Sequence, residues 1–208
     1  HPFLTGNRNK IVIGGTFTAT QFPVVGRNRI ARLNTDGTLD TTFVPGTGAD
    51  NAVNDVVAGS NGKVYIVGQF TSYSGTSRGR IARLNVDGSL DVGFLNGVTG
   101  ADDVVNSVAV LSDGDVIVAG NFTDLNGSAR NRIARLNSDG SIDTGFTPPA
   151  NIDGAIRAMA VAADGKVVIG GDFTTITGGG GQNRIARLNS NGSLDDSFQN
   201  GGADGADG

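Results

Sequence analysis

Residues 29–34 read RIARLN, and the same six letters return at Arg80, Arg132 and Arg184, in steps of 51, 52 and 52 residues. Upstream of each copy stands G-x-F-T, at Gly15, Gly68, Gly120 and Gly171. Downstream runs N-x-[DN]-G-[ST]-[LI]-D-x-x-F, ending at Phe43, Phe94, Phe146 and Phe198. Eight of the ten Phe residues therefore occupy two repeat positions. Self-similarity at a fixed period of this size marks an array of like structural units. The 208 residues divide into a partial repeat over about 1–47 and repeats over about 48–99, 100–151 and 152–208, which together make one repeat domain.

The third copy shows what one unit is made of. Residues 104–111 (VVNSVAVL) are apolar and β-branched and stop at Ser112-Asp113-Gly114. Val116 to Ala119 follow, then the G-x-F-T, a polar loop, Arg132 to Leu136, and the turn Asn137-Ser138-Asp139-Gly140. Short Val/Ile-rich runs bounded by Asp-Gly or Asn-Gly predict antiparallel strands joined by tight turns. Nothing supplies a helical period. The reading is three strands per repeat, with a short fourth near Asp-x-x-Phe. Alternation puts Val116 and Val118 on one face of their strand and Ile117 and Ala119 on the other. Both faces are apolar, so each thin sheet must stack on neighbours. The fold class predicted is all-β, a β-propeller-like array of about four blades with a 52-residue repeat. A β-solenoid is the competing architecture, although its turns are usually shorter. The repeated glycines suit places where a neighbouring backbone or Phe ring comes close.

G-x-F-T followed by RNRIARLNxDGSLDxxF resembles the bacterial delta-60 repeat, over essentially the whole chain in four copies. The resemblance implies a β-propeller-like domain of a secreted or cell-surface bacterial protein, often a large one. It implies no catalytic residues.

Composition narrows the chemistry. With no Cys and one His, at position 1, neither disulfides nor Cys- or His-based metal sites are expected. No apolar run approaches the roughly 18 residues of a membrane helix, so no membrane insertion is expected. The chain opens on His-Pro and shows no signal peptide, as a processed chain or a piece of a longer one would. The first repeat has no counterpart of residues 104–111 ahead of Asn9-Lys10, and the last ends in the linker GGADGADG. The ends do not complete each other, so further repeats beyond this chain, or an open array, are expected. Open blade faces and edges invite partners.

The recurring polar residues admit three chemistries. The turns Asn34-x-Asp36, Asn85-x-Asp87, Asn137-x-Asp139 and Asn189-x-Asn191 resemble half a calcium loop, but Arg32, Arg83, Arg135 or Arg187 stands where the first carboxylate ligand belongs. Asx-type turns with Gly at positive φ are the simpler reading, the last Asp of each copy pairing with a repeat Arg. Eleven of the 16 basic residues fall in the RNRIAR segments, yet net charge is −4, so the arginines read as architectural and no nucleic acid is expected. Glu is absent, and the adjacent pairs Asp102-Asp103 and Asp195-Asp196 sit in linkers, pointing apart, so no enzyme is expected and no cofactor.

Loops that vary between copies are where a repeat scaffold carries function. Phe22, Pro23, Val24 and Val25 form an apolar tip found in one copy only, and Tyr73 is the aromatic of the second copy's loop. These five residues are the candidate interaction surface. Phe17, Phe70, Phe122 and Phe173, with the four arginines, are the structural repeat positions. The function expected is a non-catalytic extracellular or cell-surface module, a structural or adhesive scaffold that binds a protein partner or further repeats. A glycan-binding propeller, with Tyr73 under a sugar ring, is the alternative, and calcium binding a third reading.

Overall fold

The computed structural model describes residues 10–18, 27–178 and 184–198, together with the backbone of 3–5. No helix occurs among them. Four sheets follow one another along the chain, each three strands in sequential antiparallel order. Blade 1 comprises β1 (Phe3–Thr5), β2 (Lys10–Gly14) and β3 (Ile30–Leu33). Blade 2 comprises β4 (Val53–Ala58), β5 (Val64–Gly68) and, after the small hairpin β6 (Ser72–Tyr73) and β7 (Thr76–Ser77), β8 (Ile81–Leu84). Blade 3 comprises β9 (Val105–Val110), β10 (Val116–Gly120), the hairpin β11 (Asp124–Leu125) and β12 (Ser128–Ala129), and β13 (Ile133–Leu136). Blade 4 comprises β14 (Ile156–Val161), β15 (Val167–Gly171) and β16 (Ile185–Leu188). A fourth strand survives as one bridging residue per blade: Leu33 with Leu39, Leu84 with Leu90, Leu136 with Ile142 and Leu188 with Leu194. The four RIARLN copies occupy equivalent strands, so the array is the propeller-like one that the repeat predicts.

One expectation is corrected. A strand does precede Asn9-Lys10: β1 pairs Phe3, Leu4 and Thr5 with Val12, Ile11 and Lys10. Three residues make too short a run to stand out as an apolar segment.

The core lies between blades. Val12, Ile30 and Phe43 of the first repeat share a buried cluster with Val64 and Ile66. Tyr65 and Val67, on the opposite face of β5, meet Val116 and Val118. Ile117 and Ala119 meet Val167 and Ile169. Alternation along each middle strand thus divides its side chains between two seams. Burying such side chains contributes about 1.5–3 kcal/mol each, and no single sheet could supply that alone.

The first strands of successive blades adjoin, β4 against β9 and β9 against β14. Each carries a β-bulge at its start, which frees Asn54, Asn106 and Arg157 from the ladder. Asn54 donates to the Val105 carbonyl at 3.1 Å and Asn106 to the Ile156 carbonyl at 2.8 Å, so the bulge stitches one blade to the next. Glycine is required opposite it. A Cβ at Gly68, Gly120 or Gly171 would collide with the carbonyl oxygen of Ala52, Val104 or Ala155. At Gly15 it would meet only the Phe17 ring, at 3.4 Å.

Candidate functional site

The charged groups gather at four equivalent stations. In the first, Arg32 Nε donates to Asp40 Oδ2 at 2.7 Å, and the guanidinium lies over the Phe43 ring, 4.9 Å from its centroid. Arg83 repeats this with Asp91 and Phe94, Arg135 with Asp143 and Phe146, and Arg187 with Asp195 and Phe198. A second nitrogen crosses the seam. Arg32 Nη1 donates to the Val86 carbonyl at 2.6 Å, Arg83 to Ser138 at 2.5 Å and Arg135 to Ser190 at 3.2 Å. The Asp–Arg pairing expected from the sequence is therefore present in every copy, and each of the first three pairs also fastens the following blade.

The Asp40 carboxyl meets burial, which raises its pKa, but bonds from Thr42, Arg32 and Lys10 outweigh that and hold it well below the usual carboxylate range. Asp195 is held down by the Lys166 ammonium first, then by Ser197 and Arg187. The third station differs. Asp115 stands where the others place Lys10, Lys63 or Lys166, and its carboxyl is pushed up, by burial first and then by Asp113.

The N-x-D-G segments are Asx turns. Asp36 Oδ1 accepts from the Thr38 amide at 2.9 Å and from its hydroxyl, and Gly37 has φ +81°. Asp87 and Asp139 do the same with Ser89 and Ser141, and Asn191 with Ser193. Among the described residues, no group of three or more acidic, His or Cys side chains could hold a metal ion.

Two fittings escaped the sequence reading. Arg29, Arg80, Arg132 and Arg184 adopt φ between +64° and +68°, a left-handed conformation that costs of order 1–3 kcal/mol outside glycine. There each amide bonds the carbonyl of the G-x-F-T Phe, while Arg29, Arg80 and Arg132 reach the linker carbonyls of Ala49, Ala101 and Ile152. The linker also carries Asp50, Asp102 and Asp153. Each accepts two amides and a hydroxyl from the segment after the next Phe: Thr71 and Ser72, Thr123 and Asp124, Thr174 and Thr175. The signal was an Asp at steps of 52 and 51 residues, hidden in linkers of unequal length.

The candidate interaction residues part company. Tyr73 is not a surface residue. It is wholly buried between blades 1 and 2, and its hydroxyl donates to the Gly88 carbonyl at 2.9 Å. Its place is a core position filled by Leu125 and Ile176 in later copies, each bridged to the linker as Tyr73 is to Ala49. Reading S-Y-S-G, D-L-N-G and T-I-T-G in register would have revealed it. Burial raises the phenol's pKa well above its ordinary value. Phe22, Pro23, Val24 and Val25 lie outside the described residues. Phe70, Phe122 and Phe173 are buried, and Phe17 is half-buried.

One open cleft, about 360 Å³, lies on blade 3 between Phe146, Pro148 and Pro149 on one side and Arg130 and Asn131 on the other. The Oδ1 atom of Asn131 is buried there without a hydrogen-bond partner.

Stacked antiparallel sheets, one per repeat, with seams fastened by Arg and Asn, define a β-propeller repeat protein. The chain belongs to the family described as "Domain of unknown function (DUF5122) beta-propeller", whose model matches residues 9–43, 59–94, 111–146 and 162–198. A solved structure, a protein of unknown function from Bacteroides caccae, is similar over 79% of this chain and 57% of its own, at 16% identity and a TM-score of 0.45. The chain thus spans a little over half the length of that relative. No curated protein matches.

Proposed function

We propose that this propeller module is a non-catalytic, extracellular or cell-surface scaffold of the bacterial delta-60 type, structural or adhesive, acting through protein–protein contacts and needing no cofactor. The observation that carries this reading is the state of its reactive groups. The Asp that opens Asp-x-x-Phe in every copy is bonded to an Arg of the same copy, and most of the other described carboxylates close turns or clasp linkers. A carboxylate committed to such bonds is held ionised and oriented for structure, whereas acid–base work needs a group poised near neutral pH. The test has two arms. The purified chain is screened against glycosides, esters and peptides, and intact source cells are shaved with protease and probed with antibody to the chain. No turnover, with loss of surface antibody signal, is expected. Turnover abolished by a single carboxylate substitution, or antigen protected inside intact cells, overturns the reading.

Glycan binding remains a second reading, moved from Tyr73 to the blade 3 cleft. The open cleft itself, with Phe146, Pro148 and Pro149 facing Arg130 and Asn131, favours it. Retention on a glycan array that Asn131→Ala abolishes would establish it.

A further inference from the structure

Three seams within the chain follow one rule. The face of a blade that looks forward along the chain presents Val12, or Tyr65 and Val67, or Ile117 and Ala119. The face that looks back presents Val64 and Ile66, or Val116 and Val118, or Val167 and Ile169. Among the described residues two faces of this pattern meet no blade: the forward face of blade 4 and the backward face of blade 1. The first is a shallow apolar groove of about 200 Å³ that includes Ala158, Ala160, Val168 and Gly170. The second carries Ile11 and Ile13, both half-exposed.

Resting on the scaffold reading, we propose that the forward face of blade 4 docks on the backward face of blade 1 of a second copy of this chain, head to tail. The occupant is named by the three seams already built, because each forward face within the chain is covered by the backward face of the next repeat. The polar fittings agree. Arg187 is the counterpart of Arg32, Arg83 and Arg135, and among the described residues it makes no bond across a seam. In the second copy the matching acceptor is the carbonyl of Thr35, the turn position that Val86, Ser138 and Ser190 hold elsewhere. Arg157 is the counterpart of Asn54 and Asn106, and among the described residues it pairs within its own blade, with Asp172 at 2.5 Å, both side chains over half exposed. Such a contact is heterologous, and it closes into a ring or propagates according to the rotation per copy. Two copies closed on each other would carry eight blades, within the usual range of about four to eight.

Sedimentation of the full chain over a wide concentration range tests this. A species of twice the 21.1 kDa chain mass, or a ladder of multiples, is expected. Val168→Asp and Ile13→Asp should each abolish closed association, with unchanged circular dichroism because both positions are half-exposed. An equimolar mixture of the two variants should regain a dimer, since one intact forward face then meets one intact backward face. Arg187→Ala should weaken association roughly tenfold by removing one charged hydrogen bond. A monomer at every concentration overturns the proposal while leaving the turnover and surface tests of the scaffold reading untouched. Association that only Val168→Asp disrupts also overturns it, because that would be a face-to-face dimer.

Discussion

Arg32 and Asp40, eight residues apart on one blade, form an ion pair that is almost wholly buried, their side chains 4% and 3% exposed. The same guanidinium holds the Val86 carbonyl of the next blade. The pair is therefore both a fitting within its own blade and a fastening of the seam, and this double use explains why RIARLN and Asp-x-x-Phe recur together.

Arg32→Ala should lower unfolding free energy by about 3 kcal/mol, because it strands a buried carboxylate and opens the cavity over Phe43. Arg157→Ala, which breaks an exposed pair, should leave the urea midpoint unchanged. Equal losses at the two sites would show that the buried pair has no special weight.

Acid should unfold this chain earlier than its core would suggest. Asp40, Asp50, Asp91, Asp102, Asp143, Asp153 and Asp195 all titrate below the ordinary carboxylate value in the folded state. A depressed folded pKa stabilises the fold above the unfolded value, near pH 4, and that stabilisation drains away as pH falls through the lower folded values. Melting temperature should be flat from neutrality to about pH 5 and then drop steeply. Asp153→Asn should soften the drop.

Tyr73 supplies the alkaline counterpart. Its raised pKa means that the folded state keeps the phenol protonated, a contribution present below the ordinary value near 10 and lost above it. Tyrosinate absorbance from this residue should appear only with unfolding. Tyr73→Phe should cost about 1–2 kcal/mol by leaving the Gly88 carbonyl unpaired, while any glycan retention should survive the change.

Glycines of the G-x-F-T motif should not behave alike. Gly120→Ala forces a methyl into the Val104 carbonyl and should cost several kcal/mol, of order 2–4. Gly15→Ala meets only ordinary contact and should change the denaturation midpoint little.

The sequence carried the architecture because repetition exposes packing rules. Val116 and Val118 separate from Ile117 and Ala119 by simple alternation, and each pair enters the seam that alternation assigns. The Arg–Asp stations were legible because both partners lie within one recurring string. The linker clasps of Asp50, Asp102 and Asp153 were not, since their partners lie 21 and 22 residues away in loops of variable length. Tyr73 misled because a two-residue strand such as β6 is too short to show a period, so a core side chain read as a loop tip. The left-handed arginines carry no signal at all in letters that usually sit in regular strands.

The stations are not equally sheltered: Arg32, Arg83, Arg135 and Arg187 are 4%, 11%, 21% and 28% exposed. Since each copy leans only on its immediate neighbours, free energy here is distributed like that of a short one-dimensional lattice. In a single copy the two end blades each lean on one neighbour only, so melting should start as fraying at blades 1 and 4, sooner at blade 4 where the Arg station is most exposed, and hydrogen exchange should be slower in the IARL strands of blades 2 and 3 than in that of blade 4.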